Sequence, residues 1–371
     1  MNSRAQQPLC TVLTGLALLA SALGAQTPSG STATPARFKA IFEPVSYPQD
    51  LELTDIVFVN DSVGWASGAA GTILNTRNGG KTWTAQLGGD PRGAGRPIAE
   101  LRFLSDKVGF AAQSTDGGDH RLYQTTDGET WSESGTVGQH RGDFQFTSAE
   151  NGVYLYGKEI FHTTDGGKNW KSVYSCDISV VVQGLTRNAA CHLESVHFPA
   201  PQIGYSVSRN LENAAFVIAK TTNGGADWTA WAVPDPAASA EYIVFTDENT
   251  GFIKMWGGKI YSTRDGGKTW AGVAGATLEG GKAAKVKFVD REVGWGMSPY
   301  GSLIYTVDGG KRWMSRKLQF PAGINGFTLT SRRRGYVAGE HGMVYRYSIV
   351  PIGHKAANMI EAPAMPAGSA R

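Results

Sequence analysis

Six short segments of this 371-residue chain place an Asp or Asn just ahead of a Trp in a Gly-rich turn: Asn78 before Trp83, Asp127 before Trp131, Asp165 before Trp170, Asn223 before Trp228, Asp265 before Trp270 and Asp308 before Trp313. Carboxylates in such turns can hold a cation, work as acids or bases, or accept hydrogen bonds from turn amides. A calcium site wants roughly six to eight oxygen ligands, and each copy offers few, so no metal or cofactor is expected here. Six copies cannot all be one catalytic centre. The expected role is a structural staple: the Asp or Asn accepts bonds from turn amides, the glycines allow positive φ, and the Trp packs back between sheets.

Other reactive side chains are sparse. The seven His residues are scattered, with no His-Glu-x-x-His and no phosphate-cradling Gly loop followed by Lys-Ser/Thr. His120, His140 and His341 are expected to face the same side of the fold as surface residues. Cys176 and Cys191 are 15 residues apart in the longest insertion between repeats. In an oxidising compartment they close that loop, worth about 3 kcal/mol in the chain-entropy model; the alternative is two separately buried thiols. The strongest local charge is Ser331-Arg332-Arg333-Arg334-Gly335, a purely basic turn where other repeats carry acids. Guanidinium groups take carboxylates and phosphates bidentately, so Arg332, Arg333 and Arg334 are the candidate partner-binding residues, against the plainer reading of a solvated turn.

The elements that position these groups repeat. Successive box tryptophans are 48, 39, 58, 42 and 43 residues apart, the spacing of four-stranded propeller blades. A second motif sets the register: an aromatic or Leu ends one strand, and Gly plus an apolar residue starts the next. It pairs Phe58 with Gly64-Trp65, Phe103 with Gly109-Phe110, Phe146 with Gly152-Val153 and Phe198 with Gly204-Tyr205. It continues as Phe245 with Gly251-Phe252, Phe288 with Gly294-Trp295 and Leu329 with Gly335-Tyr336. Seven such hairpins against six boxes leave the last unit one strand short, while Phe38 to Phe42 is a spare strand ahead of the first. The expected fold is all-β, a single seven-bladed β-propeller over 37–350, closed by that N-terminal strand completing the last blade. Inter-blade loops and second-to-third strand turns then share one face, and the boxes and first-hairpin turns share the other. In blade two the box is one residue shorter, which is expected to tighten its turn.

Composition bounds the function further. A formal net charge of +3, or +2 once Arg4 is removed, provides no nucleic-acid footprint. Arg4, the apolar stretch Leu9 to Ala20 and Ala22-Leu23-Gly24 read as a signal peptide over 1–25, with a retained anchor as the competing reading. Export to the periplasm or cell envelope is expected, with a disordered linker at 26–36, a disordered tail at 351–371 and no later membrane segment.

The boxes follow the consensus Ser/Thr-x-Asp-x-Gly-x-Thr-Trp, the Asp-box or BNR repeat of sialidases, xyloglucan-degrading glycosidases and photosystem II stability and assembly factors. The stretch Val63-Gly64-Trp65-Ala66-Ser67-Gly68-Ala69-Ala70-Gly71-Thr72-Ile73-Leu74-Asn75-Thr76 most resembles the last group. That resemblance implies a non-catalytic, monomeric assembly or scaffold factor that binds a protein partner, a membrane-protein assembly intermediate, through an arginine patch. The alternative is a carbohydrate-active propeller. Sialidases need a Tyr–Glu pair and an arginine triad, yet the nearest fragment to their Arg-Ile-Pro element is Arg96-Pro97-Ile98, in the wrong order. Xyloglucanases use two propellers, and one is expected here.

Overall fold

The first-hairpin motif and the box create the blade. Phe58 ends the strand Leu53–Phe58, and the strand Gly64–Gly68 begins at a glycine whose added Cβ would lie 2.5 Å from the Phe58 ring. Only Gly lets that ring lie over the backbone. Thr72–Thr76 and Thr84–Leu87 complete the first four-stranded antiparallel sheet. The computed structural model describes residues 37–352 apart from 139–142, 210, 236–238, 278–284, 298–302 and 316–319. The expected leader and linker, nearly all of the expected tail, and His140 lie outside these residues.

Seven such sheets make a seven-bladed propeller within the compact unit Phe38–Ile352. Their first strands are Leu53–Phe58, Ile98–Phe103, Phe144–Phe146, Leu193–Ala200, Ala240–Phe245, Lys285–Phe288 and Ile324–Ser331, and together they line an axial channel. Arg37–Pro44 joins the last sheet beside Val344–Ile352. The contact runs on antiparallel, with Val45 N donating to Val344 O at 2.8 Å and Tyr47 N to Gly342 O at 2.9 Å. The closing strand is the one expected from sequence. Among the described residues no helix is long and apolar enough to cross a membrane.

Blade-to-blade packing explains the alternation of aromatics. The second-strand aromatic of one blade lies flat on the strand-ending aromatic of the next: Trp65 on Phe103 at 3.7 Å, Phe110 on Phe146 at 3.5 Å, Tyr205 on Phe245 and Phe252 on Phe288 at 4.1 Å. Tyr336 on Phe58 at 3.6 Å closes the ring from the last blade to the first. Each box Trp then meets its own blade's Phe edge-on, as Trp83 does Phe58 at 6.1 Å and Trp270 does Phe245 at 5.9 Å. Such pairs add about 0.5–1.5 kcal/mol each beyond the area they bury.

The boxes act as staples, and a Thr is their pivot. Thr263 Oγ1 donates to Asp265 Oδ1 at 2.8 Å and accepts from Gly267 N at 3.0 Å, while Thr269 N donates to Asp265 Oδ1 at 3.0 Å. Thr76, Thr163, Thr221 and Thr306 repeat this geometry in their blades. Outside blade two the first box Gly also donates to the first-hairpin turn, as Gly266 N does to Asn249 O at 3.0 Å, so those staples tie two turns of one blade together. Bonds from Asn169, its side chain first, hold Asp165 down to about 2, and Thr269 does the same for Asp265. In blade two the shortened box brings Gly128 N to Thr125 Oγ1 at 2.9 Å, three residues apart where other blades have four.

The insertion after blade three has its own structure. Asp177–Val182 and Leu185–Ala190 form a hairpin, turned by Gln183 and Gly184 at φ of 51° and 79°. Cys176 and Cys191 are bonded at its base with their Cα atoms 5.3 Å apart, and both are buried.

Candidate functional site

The basic turn of blade seven and the axial channel both carry polar chemistry. In the basic turn, Ser331 pairs with Arg334, so Arg334 begins the next strand and only Arg332 and Arg333 form the turn itself. The three guanidinium groups do not make one patch. Arg332 Nε reaches Asp290 Oδ2 at 2.5 Å and its Nη2 reaches Glu292 Oε2 at 2.7 Å, clasping the corresponding turn of blade six. Arg334 is half-buried, with its side chain at the Tyr336 hydroxyl and its charge felt by Glu43 of the closing segment. Arg333 is exposed, and its carbonyl accepts from Ile349 N at 2.9 Å.

The channel is a cavity of about 540 Å³ reached by side chains from all seven first strands. Counting back one residue from each strand-ending aromatic or Leu yields Val57, Arg102, Gln145, His197, Val244, Lys287 and Thr328, all of which line it. Three residues back stand Asp55, Glu100, Asp143, Ser195 and Tyr242, which line it too. Alternate residues of a strand share a side, so the register motif already contained this ring of polar residues.

Many of these groups clasp a neighbouring blade. Leu101 N of blade two donates to Asp55 Oδ2 of blade one at 3.2 Å. Arg102 of blade two pairs with Glu100 and reaches Asp143 of blade three at 3.3 Å. Asp143 accepts in turn from Ser195 Oγ at 3.0 Å and Val196 N at 2.9 Å of blade four. His197 Nε2 lies 3.1 Å from Phe245 O of blade five, and Lys287 Nζ of blade six donates to Phe327 O of blade seven at 2.8 Å. Asn325 Nδ2 donates to Leu53 O at 2.9 Å and returns the series to blade one.

Burial tunes this cluster. It opposes the Arg102 cation, but Glu100, Asp143 and Asp55 outweigh it and hold the guanidinium above its ordinary value. Burial, with Asp143 next, pushes Tyr242 up to about 12, so its hydroxyl stays protonated. His197 falls from 6.5 to about 4, chiefly through burial; the Phe245 carbonyl opposes the fall and the Arg102 cation adds to it. The unfolded chain therefore takes up a proton between those values that the folded one refuses. The His197 contribution is complete above about pH 6.5 and is lost as pH falls towards 4. Urea unfolding at pH 7 and pH 4.5 should show wild type losing about 2–3 kcal/mol more than His197→Gln; equal losses would show that the imidazole does not titrate in this way.

The two described candidate histidines do different things. His120 lines the channel, His341 Nδ1 sits 2.7 Å from Asp50 Oδ1 on the closing segment, and no group of three or more metal-capable side chains forms among the described residues.

No protein-family model matches the chain. Over 322 residues, 80% of this chain and 75% of the relative, it is 26% identical to the photosystem II stability/assembly factor HCF136 of Arabidopsis thaliana. Over 330 residues, 82% of this chain and 84% of the relative, it is 26% identical to the photosystem II assembly protein Ycf48 of Thermosynechococcus vestitus. Its relatives are photosystem II assembly factors. The resemblance to photosystem II assembly factors is thus borne out, and so is the seven-bladed fold. A structure of Ycf48 bound to a D1 peptide superposes with a TM-score of 0.58 at 19% identity, covering 86% of this chain and 97% of that one. The same fold also serves enzymes. A xyloglucanase from Xanthomonas campestris superposes with a TM-score of 0.57 at 13% identity, over 83% of this chain and 53% of that enzyme.

Proposed function

We propose that this chain is an exported, non-catalytic propeller that assists assembly of a membrane-embedded complex of the photosystem II kind by docking a segment of a partner protein. The observation that carries the reading is the similarity to assembly factors along nearly the whole propeller. Channel chemistry supports binding over hydrolysis. Glycosidic cleavage needs two carboxyl groups available to the sugar, one as acid and one as base or nucleophile. Here Asp55 and Asp143 accept backbone amides of the next blade, while Glu100, Glu194 and Glu241 face Arg102, Arg209 and Lys254.

Docking then falls to the faces of the disc. On the box face the exposed Arg333 and the half-buried Arg334 are the proposed contacts, whereas Arg332 serves the joint between blades six and seven. The test uses the full chain and a fluorescent D1 peptide. Saturable binding is expected, weakened at least tenfold in Arg333→Glu/Arg334→Glu, since each charge-assisted bond is worth about 1.5–3 kcal/mol. The melting temperature should stay within a few degrees. Undiminished binding by the variant would remove the arginines from the account, and turnover of a β-glucan or sialoside would replace it with the carbohydrate-active alternative.

A further inference from the structure

The box face carries a second basic feature outside the arginine turn, in the groove between blades five and six. Two adjoining cavities of about 410 and 500 Å³ share Arg264, Arg291 and Lys311. Arg264 comes from the box of blade five, Arg291 from the first-hairpin turn of blade six and Lys311 from the box of blade six. All three are exposed.

The carboxylates beside them have other partners. Asp247 Oδ1 accepts from Asn249 N and Thr250 N, both at 2.9 Å. Asp308 holds its own turn, with Arg312 Nε at 3.1 Å from its Oδ2, and Glu292 is taken by Arg332. Among the described residues no ion pair joins Arg264, Arg291 or Lys311 to an acid.

The repeat itself supplies a control. At the boundary of blades one and two, Arg77 occupies the box position of Arg264, and Glu129 occupies that of Lys311. There the two form an ion pair at 3.2 Å, so the equivalent groove, a cavity of about 480 Å³, carries its own counterion. Between blades five and six the same two positions hold Arg264 and Lys311, so like charges line one groove and neither supplies the other's counterion. The inner wall of this groove is apolar, formed by Phe252 and Val273.

We propose that the groove between blades five and six is a binding site for a phosphate monoester, with Arg264, Arg291 and Lys311 on the phosphoryl group and Phe252 and Val273 beside the organic part. Three cations match a phosphoryl dianion better than a single carboxylate, and guanidinium forks meet its oxygens in pairs. Cavities of this size suit a small molecule rather than a folded segment. No bond is made or broken in this role.

Phenyl phosphate is the probe, titrated into the full chain by calorimetry beside inorganic phosphate and benzoate. Saturable binding in the millimolar range or tighter is expected for phenyl phosphate. It should be weaker for phosphate, which lacks the ring, and weaker for benzoate, which carries half the charge. Lys311→Glu installs the counterion that blade two already has, and should reduce phenyl phosphate binding by more than tenfold while leaving the melting temperature unchanged. Arg77→Gln, at the groove that Glu129 already neutralises, should leave binding as in wild type. No saturable binding, equal binding of benzoate, or binding unaffected by Lys311→Glu would overturn the proposal.

Discussion

Arg102→Met is expected to destabilise the propeller by an amount near the lower end of roughly 3–5 kcal/mol, the range for removing one partner of a buried ion pair. Methionine keeps much of the stem that packs against Phe144, whose ring lies 5.6 Å below the guanidinium, so the loss isolates charge. Without the cation, Glu100 and Asp143 are left side by side in the channel, with Asp55 close enough to act on the same site. The lower end applies because 31% of the Arg102 side chain still meets channel solvent. Urea unfolding measures the difference. Adding Asp143→Asn to Arg102→Met should recover part of it, because one unpaired charge disappears; no recovery would show that packing rather than charge set the cost.

Removing residues 1–47 is the second large perturbation. Truncation to residue 37 should leave a well-folded protein, whereas truncation to residue 48 removes the outer strand of blade seven. The loss includes Val45, which is 9% exposed, and Phe42, which packs on Tyr347 at 5.0 Å and Phe320 at 5.5 Å. It also removes the Val45 carbonyl that accepts from Trp83 Nε1 at 2.8 Å and the Glu43 carboxylate paired with Arg346 at 2.6 Å. Burial of two such side chains alone is worth roughly 3–6 kcal/mol. The exposed edge of Val344–Ile352 would then invite pairing with another chain. A melting temperature lower by many degrees and soluble aggregates on size exclusion are expected. A monomer with unchanged melting temperature would mean that the ring does not depend on this closure.

Much of this architecture is legible in the residues because the repeat is enforced by close contact. Gly64 and its counterparts must be glycine where an aromatic ring lies over the backbone, so the hairpins can be counted, and the spare strand Phe38 to Phe42 follows by subtraction. The box Thr was harder to see, since a hydroxyl that bonds a turn amide four residues on leaves no pattern beyond its own repetition. The channel ring was present in the sequence but hidden by its variety. Positions that face neighbouring sheets repeat their chemistry, whereas those facing the axis differ from blade to blade, because each clasps a different neighbour. The pairing of Arg332 with Asp290 and Glu292 was concealed for the same reason: the partners occupy equivalent turns of different blades, about one blade apart in sequence. Three adjacent arginines suggested a common patch, and blade geometry sends them to different tasks.

Partner binding at a face of the disc, with the channel serving to hold the blades together, is tested most directly by hydrogen exchange on the full chain with and without a D1 peptide. The account predicts slowed exchange in the Arg332 to Arg334 turn and the neighbouring box-face turns, with the first strands around the channel unchanged. Slowed exchange confined to the channel strands, or none anywhere at saturating peptide, would contradict it.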